Sequence, residues 1–281
     1  MSRTERCGEH RKNKPSLAIW PVVTEIVSNC GMYIPTIKGL IKRRLLVNFR
    51  ADPTVVQALL PPPFRPKLHR GHAMVGVCLL RLEQIRPAGL PGFVGFNSEN
   101  AAHRIAVEWM DEFNRVCQGV FVPRRDTDSR LNQFAGGRVF PGAYEPAQFQ
   151  IEDDGWRICF QMQSLDRQVR IELEGAAADT LPAGSCFDSL AAASAYFEGG
   201  SLGYSVTPQA GRLDGMRLHT PEWRVAPLDV FKVHSSYFAD PRQFPEGSVI
   251  FDHALIIRDV RHEWQGTASL PVPVQTNHPA L

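Results

Sequence analysis

Eight extended runs between residues 72 and 265 constrain this chain most, because each alternates apolar with polar residues or is rich in β-branched and aromatic residues. Typical runs are HRIAVEWMD, WRICFQMQSL and HALIIRDVRHEWQ. Turn signals such as Asp153-Asp154-Gly155 separate several of them, and strands joined by tight turns pair in the antiparallel sense. The sequence therefore predicts a mainly β (α+β) fold: one antiparallel closed β-barrel or strongly curved sheet with a few peripheral helices.

Two short helices are predicted from their ends. In RADPTVVQALLPPPFRP, Asp52 is placed to cap a helix that starts at Pro53, and the following prolines end it. In SCFDSLAAASAYFEGG, we expect Ser185 to be the N-cap residue, with Asp188 completing an approximate capping box and Gly199 ending the helix. The segment TIKGLIKRRLLVNF fits either a short surface helix or the beginning of a strand.

Charge and cysteine usage narrow the class of protein. The chain has 281 residues, which fits one large β-rich domain, and its net charge is only +2. Positive charge concentrates in the first 50 residues, but the basic stretch RTERCGEHRKNKPS has no interleaved aromatic residues, so we predict no nucleic-acid partner. The apolar run LAIWPVVTEIV is too short to span a bilayer, and six singly spaced cysteines indicate reduced thiols. We therefore predict a cytoplasmic protein without membrane contact, metal or cofactor, for which homo-oligomerisation is left open.

Polar residues stand inside otherwise apolar strands and mark a candidate site. GFNSENAAHRIAVEW carries Glu99, Asn100, His103 and Arg104 at a strand entrance, and PRRDTDSR ends in Arg130 where another strand leaves. Buried charges are usually paired, so one interpretation is a set of ion pairs that stabilises a corner. The other is a polar group facing a barrel interior, where charge is costly and usually specific. The GGSLG segment lacks the preceding strand of a nucleophile elbow, so a serine hydrolase is not predicted.

Several motifs carry a resemblance to a known family. VNFRADPTVVQALLPPPF, SENAAHRIAVEW and GGRVFPGAYEPAQF resemble the acetoacetate decarboxylase-like superfamily, and VGVCLLRLEQIRPAGLPG places the chain nearer its domain-of-unknown-function 2071 (YqjF-like) branch. The resemblance covers residues 42–265 and implies a cone-shaped antiparallel β-barrel. It leaves residues 1–41 as a basic N-terminal tail with a short helix, and residues 266–281 as a C-terminal tail.

The resemblance also implies a site and one departure from it. In the decarboxylases a lysine forms a Schiff base with a β-keto acid, and an arginine and a glutamate line the same cavity. Matching the motifs puts the arginine at Arg50 and the glutamate at Glu99, but the lysine position falls at Glu145. A carboxylate cannot form an imine, so decarboxylation through a Schiff base is not expected.

Two functions remain open at this point. The first is binding of a small organic acid or other small anion, for which guanidinium groups are suited. Its predicted contacts are Arg50, Asn100, His103, Arg104 and Arg130. The second is a lyase or hydrolase that uses Glu145 or Glu99 as general acid or base, with Tyr144 assisting.

Overall fold

The computed structural model describes residues 36–135, 142–207, 209 and 211–272, and most of the predicted tails lie outside these residues. The strands are β1 Ile37–Ala51, β2 Arg65–Pro66, β3 Leu68–His69, β4 His72–Pro87, β5 Phe96–Met110, β6 Val116–Thr127, β7 Glu145–Asp153, β8 Arg157–Ser164, β9 Arg170–Ala177, β10 Leu202–Val206, β11 Arg212–His219, β12 Ala226–Ser235 and β13 Val249–Pro271. The α-helices are α1 Pro53–Leu59, α2 Arg130–Ala135 and α3 Leu190–Glu198, and 3-10 turns occupy Gly92–Val94 and Gly199–Ser201. The predicted mainly β class is confirmed.

The segment that fitted either a helix or a strand is strand β1, which pairs with β13 on one side and with β4 on the other. Its position in the middle of the sheet explains the apolar run Leu45, Leu46 and Val47, because both faces of this strand are buried. β1 begins before the predicted domain boundary at residue 42, and β13 continues beyond residue 265.

The prediction of a purely antiparallel structure was wrong. β6 pairs in parallel with β10, where Gly203 lies opposite Val120, and in parallel with β7, where Asp126 lies opposite Glu145. Neither partner follows β6 through a tight turn, since long connections with their own helices intervene. The turn-based argument holds for pairs such as β7 with β8 and β8 with β9, which are antiparallel.

Hydrogen-bonded pairing closes the sheet into rings. One ring runs through β6, β7, β8, β9, β12, β13, β1, β4 and β5 before it returns to β6. A second ring runs through β11, β10, β6, β5, β4, β1 and β13, and closes through the pairing of β11 with β13. The strands β13, β1, β4, β5 and β6 belong to both rings and are called the shared strands below.

The shared strands bury both faces because their side chains alternate. Leu45, Val47 and Phe49 of β1 pack in the larger core together with Phe160 and Leu173 of strands β8 and β9. The opposite face carries Leu46, Met74, Ala102 and Leu255, and it packs against Phe187 and the α3 residues Ala193 and Phe197. This second face, covered by α3, contains the candidate site.

The helix ends follow the predicted physics with one exception. The Asp52 side chain accepts hydrogen bonds from the backbone N–H of Thr54 at 2.7 Å and of Val55 at 3.5 Å, which confirms the cap of α1. α3 ends at Gly199 as predicted, but its N-cap residue is Ser189 and not Ser185. Ser185 instead donates its hydroxyl to Asp252 at 2.7 Å, so its side chain makes a tertiary contact and does not cap α3. In the described part of the chain, none of the helices has the length and apolar character needed to cross a membrane.

Candidate functional site

A cavity of about 100 Å³ lies between the shared strands, α3 and strands β10 and β11. Much of its wall is apolar, which suits a ligand with a carbon skeleton. The apolar lining residues are Leu46, Leu80, Ala102, Ala106, Val120, Val122, Phe197, Met216, Leu218 and Trp264.

The same cavity is lined by four basic side chains, Arg44, Lys67, Arg104 and Arg125. No aspartate or glutamate stands among its described lining residues, and none of the four forms an ion pair with a described carboxylate. Arg125 donates to the Ser205 hydroxyl at 2.8 Å and lies 5.6 Å from the centre of the Tyr144 ring. The cavity therefore concentrates positive charge without a counterion from the described chain.

Arg104 is the most buried of these groups, with 5% of its surface exposed. Its guanidinium donates to the Asn48 side-chain oxygen and lies 4.9 Å from the centre of the Phe197 ring. Among the described residues, its buried Nε atom has no hydrogen-bond partner, and neither has the buried Nε of Arg44. Burial lowers the pKa of Arg104, which means that the surroundings disfavour its charge.

A chain of hydrogen bonds orients Arg104 on the face of the shared strands that α3 covers, where the centre of the His253 ring lies 5.6 Å from that of the Phe197 ring. Asn48 accepts from Arg104 and lies 3.0 Å from Nε2 of His253, whose Nδ1 is 2.6 Å from Asp252. The Ser185 hydroxyl and the backbone N–H of Cys186 donate to the same carboxylate, at 2.7 and 2.9 Å. Although burial opposes it, these contacts hold the pKa of Asp252 well below its usual range. Asp252, His253 and Asn48 therefore fix the position of the Arg104 guanidinium.

Lys67 enters the cavity from the segment before β3. Its ammonium group donates to the Tyr196 carbonyl at 3.3 Å and lies 4.1 Å from the centre of the Tyr196 ring. Burial lowers the pKa of Lys67. Contact with a ring face favours the charged form and therefore opposes the effect of burial.

Two buried or half-buried arginines outside the cavity form ion pairs with carboxylates. Arg43, on the opposite face of β1, contacts Glu99 at 2.7 Å and Asp153 at 3.5 Å. Arg124 contacts Asp126 at 2.8 Å and Asp166 at 3.1 Å. Arg43 and Arg124 thus have carboxylate partners, as buried charges usually do. The four basic residues of the cavity differ, because none of them pairs with a carboxylate of the described residues.

Of the predicted site residues, Arg104 lines this cavity. Tyr144 is next to it through its contact with Arg125, whereas Glu145 at the start of β7 and Arg130 at the start of α2 are exposed. Arg50 donates to the Gly184 carbonyl at 2.7 Å and contacts Asp252 at 3.3 Å, beyond the far end of the hydrogen-bond chain.

The remaining predicted residues belong to other environments. Glu99 pairs with Arg43 in the larger core, and burial raises its pKa to about 7. His103 is fully buried beside Ser235, and burial lowers its pKa to about 3. Asn100 donates to Ser98 at 2.9 Å near the start of β5. The structure therefore does not gather Arg50, Glu99 and Glu145 around one cavity.

Sequence reasoning did not single out Arg44, Lys67, Cys78 or Arg125 as a group. Alternation contained a usable signal, since Arg44 and Leu46 share one face of β1, and Ala102 and Arg104 share one face of β5. Among the described residues, no group of three His, Cys, Asp or Glu side chains is arranged to hold a metal ion.

A protein-family model matches most of this chain. The model named DUF2071, described as an uncharacterized conserved protein, matches residues 41–251 of this chain. The chain belongs to the DUF2071 family. No curated protein matches it significantly.

Solved structures show that this DUF2071 chain has an acetoacetate decarboxylase-like fold, as the motifs predicted. Acetoacetate decarboxylase from Legionella pneumophila is 10% identical, with a TM-score of 0.52 over 85% of this chain and 90% of that chain. An acetoacetate decarboxylase-like enzyme from Sphingomonas wittichii RW1 is 15% identical, with a TM-score of 0.52 over 85% and 94%. The enduracididine biosynthesis enzyme MppR, complexed with the condensation product of pyruvate and imidazole 4-carboxaldehyde, is 12% identical, with a TM-score of 0.53 over 87% and 92%. At these identities the likeness establishes the fold alone.

Proposed function

We propose that this protein binds a small organic carboxylate in the cavity beneath α3, without forming a Schiff base with it. The observation that carries this proposal is the set of four basic side chains that line the cavity without a carboxylate among the described lining residues. Isolated buried charge is unfavourable, and proteins normally neutralise it with a partner of opposite sign. A bound anion is the partner that this cavity lacks.

The donors are suited to a carboxylate. Arg104 and Arg44 each have a buried Nε–H without a hydrogen-bond partner among the described residues. The planar guanidinium group matches the two oxygens of a carboxylate. The hydrogen-bond chain through Asn48 and His253 orients Arg104 before any ligand arrives, which lowers the entropy lost on binding.

Size and polarity favour an organic ligand over an inorganic ion. The cavity volume is about 100 Å³, whereas a single water needs roughly 10–15 Å³. Leu46, Ala102 and Phe197 provide contacts for carbon atoms on the wall next to Arg104. A carboxylate with a short carbon chain meets both requirements, and the pyruvate-derived ligand of MppR makes pyruvate a reasonable probe.

An enzymatic alternative is a lyase or hydrolase in which Glu99 or Glu145 acts as general acid or base, with Tyr144 assisting. One observation favours it, because a glutamate whose pKa is about 7 can exchange protons near neutral pH. Glu99 faces Arg43 in the larger core, however, and Glu145 is exposed. Binding in the cavity is therefore the stronger proposal.

The proposal predicts a thermal shift that depends on charge. Pyruvate, acetoacetate and butyrate should raise the melting temperature, whereas the neutral butyramide should not, because it lacks the charge that pairs with Arg104. A ligand at 100 times its Kd stabilises the native state by about 2.7 kcal/mol, which corresponds to about 5–10 °C for a chain of this size.

Two variants separate specific from general charge effects. Arg104→Met should abolish the shift, whereas Arg224→Met should retain it, because Arg224 is 81% exposed and contacts only Glu222 in the described ion pairs. Equal shifts with butyrate and butyramide, or an unchanged shift in Arg104→Met, would contradict the proposal.

The absence of an imine is tested on the same samples. Borohydride reduction in the presence of acetoacetate should leave no covalent adduct, because Glu145 stands at the lysine position of the family motif and a carboxylate cannot form an imine. A stoichiometric mass adduct at Lys67 that disappears in Lys67→Arg would replace simple binding with Schiff-base chemistry at a lysine outside the family motif.

A further inference from the structure

Cys78 lies on the wall of the cavity among the unpaired arginines. It belongs to β4, on the face that carries Met74 and Leu80, and 5% of its surface is exposed. A guanidinium nitrogen of Arg44 lies 3.7 Å from its sulfur atom. The thiol therefore faces the space in which a carboxylate is proposed to bind.

The surroundings favour the thiolate. Burial raises the pKa of Cys78, but Arg104 and Arg44 outweigh it, so the pKa lies below its ordinary value. Cys186 shows the opposite behaviour in the same protein, because burial and the neighbouring Asp252 raise its pKa to about 12. The pKa values of the two thiols are thus shifted in opposite directions, because Cys78 has cationic neighbours and Cys186 an anionic one.

A second observation points to a ligand beside this sulfur. Arg104, with 5% of its surface exposed, lines the same cavity, and among the described residues its Nε–H has no hydrogen-bond partner. It also interacts electrostatically with Cys78. A carboxylate that binds this free donor is brought next to the sulfur, with its carbon chain toward the apolar wall.

We propose that Cys78 is a nucleophile that forms a covalent bond with small carboxylates carrying an electrophilic carbon, such as α,β-unsaturated acids. This inference rests on the proposed carboxylate binding and adds a reaction to it. The arginines would hold the carboxylate beside the Cys78 sulfur, so that one cationic cluster positions both reactants.

The step balances without an external oxidant or reductant. The Cys78 thiol gives its proton to water and its sulfur forms a bond to the β-carbon of the unsaturated acid, while the π electrons move to the α-carbon. The α-carbon then takes one proton from water, so that the number of protons is unchanged, and the product is a thioether. A 2-haloacid reacts at the same sulfur by displacement, in which the carbon–sulfur bond forms as the carbon–halogen bond breaks and halide leaves.

Iodoacetate and iodoacetamide provide a test, because they have similar size and differ in charge. In the folded wild-type protein, iodoacetate should alkylate Cys78 about tenfold faster than iodoacetamide, the factor that corresponds to about 1.4 kcal/mol of extra interaction. In the same chain unfolded in urea this preference should disappear, because no arginine then holds the carboxylate. Mass spectrometry of peptides that contain Cys78 measures both rates.

Controls locate the effect. Arg104→Met should reduce the preference for iodoacetate, whereas Cys159→Ser should leave labelling of Cys78 unchanged, since Cys159 is a partly buried thiol on β8 outside the cavity lining. Should Arg104→Met not fold, the comparison of folded with unfolded wild-type protein remains decisive by itself.

Two results would overturn the proposal: no labelling of Cys78 in the folded protein, or equal rates with the two reagents. The thermal shift of the same wild-type sample with butyrate separates the two levels of inference. A shift without labelling rejects the nucleophile and keeps carboxylate binding, whereas neither a shift nor labelling rejects both.

Discussion

At the scale of single residues, Glu99 is the group whose ionisation should affect stability most visibly. Burial raises its pKa to about 7, although Arg43 and Arg81 oppose this effect. The folded state therefore binds more protons than the unfolded state between the ordinary glutamate pKa and about pH 7. Over this interval the contribution of Glu99 to the free energy of unfolding should decrease as the pH rises.

Urea unfolding of the wild type and of Glu99→Gln at pH 5 and pH 8 measures this contribution. The wild type should lose stability relative to Glu99→Gln between the two values, because the variant has no proton to release. Glu263→Gln is the matched control, since Lys38 lowers the pKa of Glu263 below its ordinary value of 4.5, so that Glu263 stays ionised at both pH values and should give no such trend. The same pH trend in both variants, each relative to the wild type, would contradict the raised pKa of Glu99.

At the scale of elements, the parallel pairing of β6 with β10 depends on a close backbone approach at Gly119. A Cβ atom at this position would lie 2.4 Å from the carbonyl oxygen of Leu202, the first residue of β10. Gly119→Ala should therefore push β10 away from β6 and cost about 1–3 kcal/mol of unfolding free energy. Because Val120 and Gly203 line the cavity next to this contact, the thermal shift with butyrate should decrease as well.

Gly184→Ala is the control for this variant. An added Cβ atom at Gly184 meets no atom within 4 Å, so its effect should stay within about 0.5 kcal/mol. Urea midpoints of the two variants provide the comparison. An equal loss in both variants would contradict the role assigned to the close contact between Gly119 and β10.

At the scale of the whole molecule, the fold keeps two populations of buried arginine on opposite faces of the shared strands. Arg43 is neutralised by Glu99 and Asp153, whereas Arg104 donates to the neutral side chain of Asn48 and forms no ion pair with a carboxylate of the described residues. Arg43→Met should cost about 3 kcal/mol, because it leaves Glu99 without its nearest cation in the core.

Arg104→Met should change the stability of the ligand-free protein by less than about 1 kcal/mol, since removal of a desolvated charge offsets the lost hydrogen bond. Urea unfolding at pH 7.5 without ligand measures both variants. A larger loss for Arg104→Met than for Arg43→Met would indicate that Arg104 is a structural group and not a binding group.

The sequence by itself determined those features that depend on near neighbours. Alternation within strands predicted the β class, and the cap of α1 by Asp52 required only the two following N–H groups. The motifs between residues 42 and 265 also predicted the family, which a match to residues 41–251 confirms.

The tertiary structure decided which strands pair and which side chains meet. The parallel pairing of β6 brings in strands that are separated from it by helices, so no local turn signal specifies it. The cavity combines Arg44, Cys78, Arg104 and Arg125 from four different strands. Register also matters, because the pairing of β1 with β13 passes from Asn48 opposite His253 to Phe49 opposite Phe251, which leaves Asp252 as an extra residue that contacts Arg50. Burial and charge pairing depend on these long-range contacts, and one residue of shift moves a side chain to the opposite face.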